Sequence, residues 1–227
     1  MTIKIKNETS NKLLKIAKQF YKNRDKSHDL DHCLKVKKNS LDLCKSMNIS
    51  DYNTLFKIET ASLLHDAWDH KYVNDTSLIK KQVRDKLLLI YFSEHDIKDI
   101  FIIIDNVSFS KEIKQRNSDT VLISNNLNLK HLQQMRDIVS DADKLEMLGK
   151  HGIKRIVLYE RHINPKSTIE EYVSKVKHYY SNKIKLLIDE NYIKTEHARF
   201  IAIKLIHEMD ELIDNENLLI KYIKKNI

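Results

Sequence analysis

Glycine and proline are almost missing from this chain. Its 227 residues include two glycines, Gly149 and Gly152, and one proline, Pro165. A Walker loop needs two glycines and a Lys-Ser/Thr pair, and a Rossmann fingerprint needs three glycines, so neither can be assembled. A Gly-x-Ser-x-Gly nucleophile elbow is also absent. Sandwiches and barrels need many turn residues, so the sequence predicts an all-helical protein.

The spacing of apolar residues is helical along most of the chain. We expect one domain over residues 1–227, with a core at about 9–163 and C-terminal helices at 167–227 packed on it. The polar stretch 108–128 is predicted to be a loop, either a lid over a pocket or a plain surface excursion. Predicted helices cover residues 31–47, 54–67, 77–90, 96–107, 129–163 and 195–224, with a first helix after a Thr9 or Ser10 cap and another after a Ser167 or Thr168 cap.

Charge and cysteine content indicate which ligands and which cell compartment suit the protein. The net charge is +8 and the pI about 9.2, which favours phosphate-bearing ligands. The lysines are spread through every segment, which favours a solvated surface over a dedicated nucleic-acid stripe. Cys33 and Cys44 lie roughly 16 Å apart on one predicted helix, too far for a disulfide. With no apolar run long enough to span a bilayer, we expect a cytosolic protein that does not associate with membranes.

Three His-Asp pairs occur, and their contexts differ. His95-Asp96 follows Ser93-Glu94, which is typical of a capped helix start. His65-Asp66 instead ends the apolar run 61–64, which directs an imidazole and a carboxylate toward the interior. A buried carboxylate is costly unless it is paired or binds a metal, so this pair is a candidate functional site.

Two further clusters could join that pair. His28 and His32 are four residues apart and share one helix face, and Asp141-Ala142-Asp143 lies within an apolar helical pattern. Three helices could therefore bring imidazoles and carboxylates to one divalent cation. Mixed His/Asp ligation suits Mn, Fe, Co, Ni or Zn better than Ca. Core histidines satisfied by hydrogen bonds are the alternative, and spacing does not separate the two.

Three segments resemble motifs of one known group of enzymes. Residues 27–36, SHDLDHCLKV, resemble the pattern SHDxxHxxRV, with Lys35 where arginine is usual. Residues 63–72, LLHDAWDHKY, resemble LLHDxxDHKF, and residues 141–155 resemble DADRLDAIGAxGIxR. The chain thus resembles the HD-domain metal-dependent phosphohydrolase superfamily, and within it the small bacterial nucleotide-pyrophosphohydrolase-like branch. The likeness runs from about Leu13 to Ile213.

The resemblance implies a helical HD-domain bundle with a metal site in its core. Asp143 is preferred to Asp141 because Lys144 and Leu145 follow it, whereas Asp141 would cap a helix or support a ligand. The metal, unresolved among Mn, Mg, Co, Ni, Fe and Zn, would lower the pKa of a water molecule and polarise a phosphoryl group. The implied metal ligands are His32, His65, Asp66 and Asp143.

The same resemblance suggests roles around the metal. Asp69, three residues after Asp66, is the candidate general acid/base; a surface acid paired with His70 or Lys71 is the alternative. Trp68 could stack on a base or pack in the core. The implied substrate-binding residues are His28, Lys71, Lys111 and Arg155, although the simpler interpretation of any single lysine in so basic a chain is solvated surface.

The expected function is hydrolysis of a phosphoester or phosphoanhydride bond, most simply in a nucleoside triphosphate. A non-catalytic HD-fold module that binds a nucleotide as a regulator is the alternative. A basic helical protein that binds nucleic acid without metal is a third class. We expect the partner to be a small phosphorylated substrate. The chain could act as a monomer or as a homodimer.

Overall fold

A computed structural model describes residues 3–22, 24–25, 27–116 and 130–226. Over these ranges the structure is helical and contains no strand, which confirms the all-α class. A π-helical turn covers Tyr180–Ile184. The α-helices are α1 Ile3–Phe20, α2 Leu30–Ser46, α3 Tyr52–Leu64, α4 Thr76–Leu88, α5 Glu94–Asp105, α6 Phe109–Arg116, α7 Lys130–Leu145, α8 Gly149–Ile163, α9 Ile169–Tyr179, α10 Leu186–Asp189, α11 Glu196–Ile213 and α12 Glu216–Asn226.

The chain divides into two compact units. The first comprises the described residues up to Arg24 together with His28–Ser140. The second comprises the described residues among Asp25–Ser27 and those from Asp141 onward. The expectation of one domain stays a prediction.

The first unit is built around α3, which packs against both α2 and α5. The three helices contribute apolar side chains that are withdrawn from solvent, and this burial is the main stabilising contribution to the unit. Acidic or hydroxyl side chains begin the helices: Asp29, Asp51, Asp75 and Ser93 each accept a backbone N–H of the first turn. The buried apolar residues include Val36 and Leu43 of α2, Ile58, Leu63 and Leu64 of α3, and Ile97, Ile100 and Ile103 of α5.

In the second unit, α8 packs against α9 and α11, and α9 packs against α12. Thr168 begins α9 with a capping box, in which its hydroxyl accepts the Glu171 N–H and the Glu171 carboxylate accepts the Thr168 N–H. This is the cap predicted after Pro165.

Several predicted boundaries are wrong. Because α1 begins at Ile3, Thr9 and Ser10 lie inside the helix; the Ser10 hydroxyl donates to Glu59 rather than capping. The predicted loop 108–128 contains α6, and its part from residue 117 lies outside the described residues. The predicted long helix 195–224 is interrupted at Asp214 and Asn215. Where helices were predicted over 129–163, the described residues form α7 and α8.

Among the helices of the described ranges, none is both long and apolar enough to cross a bilayer.

Candidate metal centre

The His65-Asp66 pair lies where α3 ends. The four residues before it, Ala61–Leu64, are fully buried, so the helix delivers His65 into the interior. His65 Nδ1 lies 2.9 Å from the carbonyl oxygen of Ser62, one turn earlier. Because a carbonyl only accepts, Nδ1 carries the proton and Nε2 presents its lone pair. The backbone of α3 thus fixes both the position and the tautomer of this imidazole.

His32 approaches from the first turn of α2. Asp29 caps that helix by accepting the His32 N–H at 3.2 Å, and the His32 side chain is buried. His32 Nε2 lies 3.2 Å from His65 Nε2 and 3.8 Å from Asp66 Oδ2, which is 3.4 Å from His65 Nε2. The ligand atoms of the three residues all lie within 4.8 Å of one another.

This donor set fits a divalent transition metal. Two imidazole nitrogens and one carboxylate oxygen are the ligands that such ions prefer, and the oriented Nε2 of His65 is ready to coordinate. The distance between the two Nε2 atoms also fits an N–H···N hydrogen bond, the alternative for a histidine pair. The metal-binding role of His32, His65 and Asp66 therefore stays a prediction.

The turn after Asp66 carries the predicted proton-transfer residue. Asp69 is mostly buried; its Oδ1 accepts the Lys71 N–H at 2.9 Å and lies 3.3 Å from His70 Nδ1. The Lys71 ammonium lies 3.8 Å from Oδ2. These are the contacts of the alternative in which Asp69 is a paired acid, so its role in proton transfer stays a prediction.

Two more predicted substrate-binding residues lie in the first unit. The Nδ1 of His28 is 2.7 Å from the hydroxyl of Tyr72, and its ring lies 6.3 Å from that of His32. Lys111, in α6, is exposed, and its ammonium lies 3.4 Å from the Asp105 carbonyl. Substrate binding by His28 and Lys111 stays a prediction.

Trp68 is buried between elements of the first unit. Its indole N–H donates to Asp105 Oδ1 at 3.0 Å, and its ring meets Phe101 edge-on at 4.9 Å. These contacts favour packing over stacking on a base.

Arg24 is a residue of this site that sequence reasoning missed. Its Nη2 donates to the carbonyl oxygens of Asp66 and Ala67, at 3.2 and 3.1 Å. Its guanidinium lies 4.1 Å from the ring centre of Tyr72. Backbone acceptors leave no residue-type pattern in a sequence, so no signal could have predicted these bonds. Tyr72 itself lies inside the quoted motif.

The remaining predicted residues lie in the second unit. Asp141 is fully buried, and its carboxylate accepts from the N–H groups of Lys194 and Thr195 and from the Thr195 hydroxyl, at 2.7–3.0 Å. Burial raises the pKa of Asp141, against the opposing effects of Lys144 and of these hydrogen bonds. Since Thr195 is the N-cap of α11, the Asp141 carboxylate anchors the start of that helix. The role of Asp143 as a metal ligand stays a prediction.

Arg155, the last predicted substrate-binding residue, donates through Nη2 to the Ser27 carbonyl at 2.5 Å. Its Nε–H is buried and donates to no partner among the described residues. Arg155 thus supports the backbone just before His28 in the chain.

A second group, His95, Asp96 and Asp99, also brings possible metal ligands together. Here the ammonium of Lys57 already lies 2.9 Å from Asp96 and 2.6 Å from Asp99. Ser93 caps α5 by accepting the Asp96 N–H, as the sequence predicted. This group is an ion-paired helix start.

Comparison with known proteins places this geometry in context. No family model matches the chain. An uncharacterized protein of Acanthamoeba polyphaga mimivirus is 30% identical over 162 residues, which cover 65% of this chain and 59% of the relative. The chain therefore spans about three fifths of the length of that curated relative.

Solved structures resemble the chain over nearly its whole length. A Lactobacillus plantarum protein matches with a TM-score of 0.69 and 22% identity, covering 96% of this chain and 97% of that one. Bacillus subtilis YpgQ in complex with ADP matches with a TM-score of 0.65 and 19% identity, covering 90% of this chain and 94% of that one. An HD-superfamily hydrolase from Bacillus thuringiensis matches with a TM-score of 0.63 and 23% identity, covering 92% of this chain and 95% of that one.

The chain has the fold that these structures share, and one of them is an HD-superfamily hydrolase. The helical HD-type fold implied by the motifs is therefore confirmed.

Proposed function

We propose that this protein is a metal-dependent phosphohydrolase that cleaves a phosphoester or phosphoanhydride bond of a nucleotide, most simply a nucleoside triphosphate. The observation that carries the proposal is the convergence of His32 Nε2, His65 Nε2 and the Asp66 carboxylate within 4.8 Å. The shared fold with an HD-superfamily hydrolase supports the reaction class. The ADP bound to YpgQ supports a nucleotide as the substrate.

The three converging residues would hold one divalent cation, with Asp143 as the predicted fourth ligand. When bound, the cation supplies Lewis-acid chemistry by lowering the pKa of water and polarising a phosphoryl group. We take Mn²⁺ as the first metal to test, with Mg, Co, Ni, Fe and Zn as the other arms. Ser62 contributes by holding His65 in the tautomer that can coordinate.

Asp69 is proposed to accept the proton of the attacking water. Its Oδ1 is held by the Lys71 N–H, which fixes the carboxylate, and we propose Oδ2, 3.8 Å from the Lys71 ammonium, as the proton acceptor. Four residues are proposed to bind the phosphates or the rest of the substrate and to balance charge on the transferred group. They are His28, Lys71, Lys111 and Arg155.

The test of the reaction is a panel of nucleoside triphosphates with each divalent cation, in which phosphate and pyrophosphate are assayed separately and EDTA is the control. Asp69→Asn should lower kcat by about 10²–10⁴-fold while Mn²⁺ still binds. Asp42→Asn, on the exposed face of α2, is the matched control and should leave kcat unchanged. Release of neither product from any nucleotide would remove the substrate assignment.

The pairing of Asp69 with Lys71 and His70 favours a second candidate, a nucleotide-binding regulatory module without turnover. That module predicts saturable nucleotide binding, no product, and no effect of Asp69→Asn. The metal site is tested apart from turnover, by Mn²⁺ binding to His65→Ala. His197→Ala, which changes an exposed histidine of α11, is its control.

A further inference from the structure

We propose that Arg24 is a positioning residue for the metal centre: its guanidinium holds the backbone of Asp66 and Ala67 and thereby directs the Asp66 carboxylate toward His32 and His65. This inference rests on the proposed metal site. Arg24 acts through the main chain, and none of the sequence motifs includes it.

The backbone after α3 needs such support. The helix ends at Leu64, and the next residues form tight turns, with the Ala67 N–H bonded to the Leu64 carbonyl and the Asp69 N–H to the Asp66 carbonyl. The regular helical ladder therefore no longer fixes these peptide planes. The Nη2 of Arg24 supplies the missing restraint by donating to two consecutive carbonyls, at 3.2 and 3.1 Å. The first of these carbonyls belongs to Asp66 itself, so holding its peptide plane restrains the backbone from which the Asp66 side chain projects. The second holds the next plane, on the far side of Ala67, and keeps the turn from shifting.

Arg24 is itself held from several sides. Its Nε lies 3.5 Å from the carbonyl of Phe20, the last residue of α1, and its guanidinium stacks over Tyr72 at 4.1 Å. The Tyr72 hydroxyl in turn meets His28 Nδ1 at 2.7 Å. One side chain thus joins the end of α1, the turn that carries Asp66, and the ring beside His28. A lysine has neither the planar face for the stack nor the fixed fork of donors.

The direction in which metal affinity changes when Arg24 is replaced distinguishes a positioning role from a purely electrostatic one. A positive guanidinium near a divalent cation repels it, so a purely electrostatic role predicts that removing the charge tightens metal binding. Positioning predicts the opposite, because a misdirected carboxylate binds the cation more weakly.

The first experiment measures Mn²⁺ binding by calorimetry, with no nucleotide present. Arg24→Gln and Arg24→Lys should each raise the Kd for Mn²⁺ by about 10–100-fold, the usual effect of losing a residue that orients a ligand. Arg84→Gln, which removes an exposed arginine paired with Glu94, is the matched control and should leave the Kd unchanged. An unchanged or lower Kd for Arg24→Gln, or full rescue by lysine, would overturn the inference.

The second experiment uses the metal-free protein. Trp68, the one tryptophan of the chain, follows Ala67 directly, so its fluorescence reports on this turn. Arg24→Gln should shift the emission and speed amide exchange at residues 66–69, and Arg84→Gln should not. If the wild type binds no Mn²⁺, the proposed metal site fails, and unchanged exchange in Arg24→Gln would separately refute the hold on the turn. Tyr72→Leu, which removes the stacked face, gives the same two readouts should Arg24→Gln not fold.

Discussion

Both glycines of the chain lie in the first turn of α8, directly after its connection from α7. Gly149 has a φ of +63°, in the left-handed region that side chains disfavour, and a Cβ there would lie 2.9 Å from the side chain of Leu205. Gly152 has a different reason to be glycine: a Cβ would lie 2.0 Å from the carbonyl oxygen of Met147. A Cβ at position 149 would meet a side chain that can move, whereas a Cβ at position 152 would meet backbone.

Gly152→Ala should therefore be far more damaging than Gly149→Ala. We expect a loss of more than about 4 kcal/mol of unfolding free energy at Gly152, since the backbone of the turn must move. At Gly149 we expect about 1–2 kcal/mol, the cost of a left-handed alanine. Urea unfolding of the two variants measures the difference. Equal losses would show that the turn can relax around a methyl group at either position.

Cys44, fully buried in α2, gives a pH dependence of stability. Burial raises the pKa of its thiol to about 11 from an ordinary value of 9.0. Between these values the folded thiol keeps its proton while the unfolded one loses it, so stability falls as the pH rises through this window. The loss reaches about 2–3 kcal/mol.

The measurement compares wild type with Cys44→Ala at pH values of about 8 and about 11. Lysines and tyrosines also titrate there, but they do so in both proteins, so the difference isolates the thiol. The wild type should lose stability relative to the variant as the pH rises. A constant difference would show that water reaches the thiol.

The site shows which residues a sequence can reveal. His65 and Asp66 were predictable because an apolar run directed polar groups inward, and His32 because its motif resembles a known one. Arg24 was not predictable, because it contacts carbonyl oxygens that every residue carries. The pairing of Asp141 with the start of α11 depends on a contact across more than fifty residues, which no local pattern contains.

At the scale of elements, apolar periodicity predicted α2, α4 and α5 to within about two residues. The predicted start of α1 was wrong. Thr9 and Ser10 can cap a helix only if no helical residue precedes them, but α1 already begins at Ile3. Periodicity also ran through the interruption between α11 and α12, where Asn215 accepts the Leu218 N–H and begins a new helix. A single capping residue such as Asn215 is a weaker sequence signal than an apolar periodicity that continues on both sides of it, so the break between the two helices was not predicted.

The contact between α3 and α5 includes a buried ion pair that can be tested. Lys57 of α3 lies 2.6 Å from Asp99 of α5, and both side chains are largely buried. Lys57→Met would leave the Asp99 carboxylate in place without its ammonium, so we expect a loss of about 3 kcal/mol in unfolding free energy.

The control for this prediction is Lys38→Met, which breaks an exposed pair with Asp42 on α2. That pair is solvated, and its loss should cost less than about 0.5 kcal/mol. Thermal and urea unfolding compare the two. Losses of similar size would mean that His95 and His131, which lie 3.5 and 4.0 Å from Asp99, replace the lysine.

At the scale of the whole molecule, the predicted site residues divide between the two units. His32, His65, Asp66 and Asp69 belong to the first, and Asp143 belongs to the second. Sequence motifs predict that such residues act together, but they carry no distances. Within the first unit the structure supplies the distances among His32, His65 and Asp66, whereas the contributions of Asp69 and Asp143 stay predictions.

Metal binding should be visible as stability of the folded chain. A cation that binds only the folded state at about 100 times its Kd adds about 2.7 kcal/mol to the unfolding free energy, and EDTA should remove that increment. Imidazoles bind metals only when unprotonated, so the increment should shrink as the solution is made acidic. In His65→Ala and Asp66→Ala the increment should be largely lost, and in His197→Ala it should persist. The comparison is made within each variant, with and without Mn²⁺, because truncating a buried side chain changes stability by itself. An increment of full size in His65→Ala would place any bound cation elsewhere and leave His32 and His65 as a hydrogen-bonded pair.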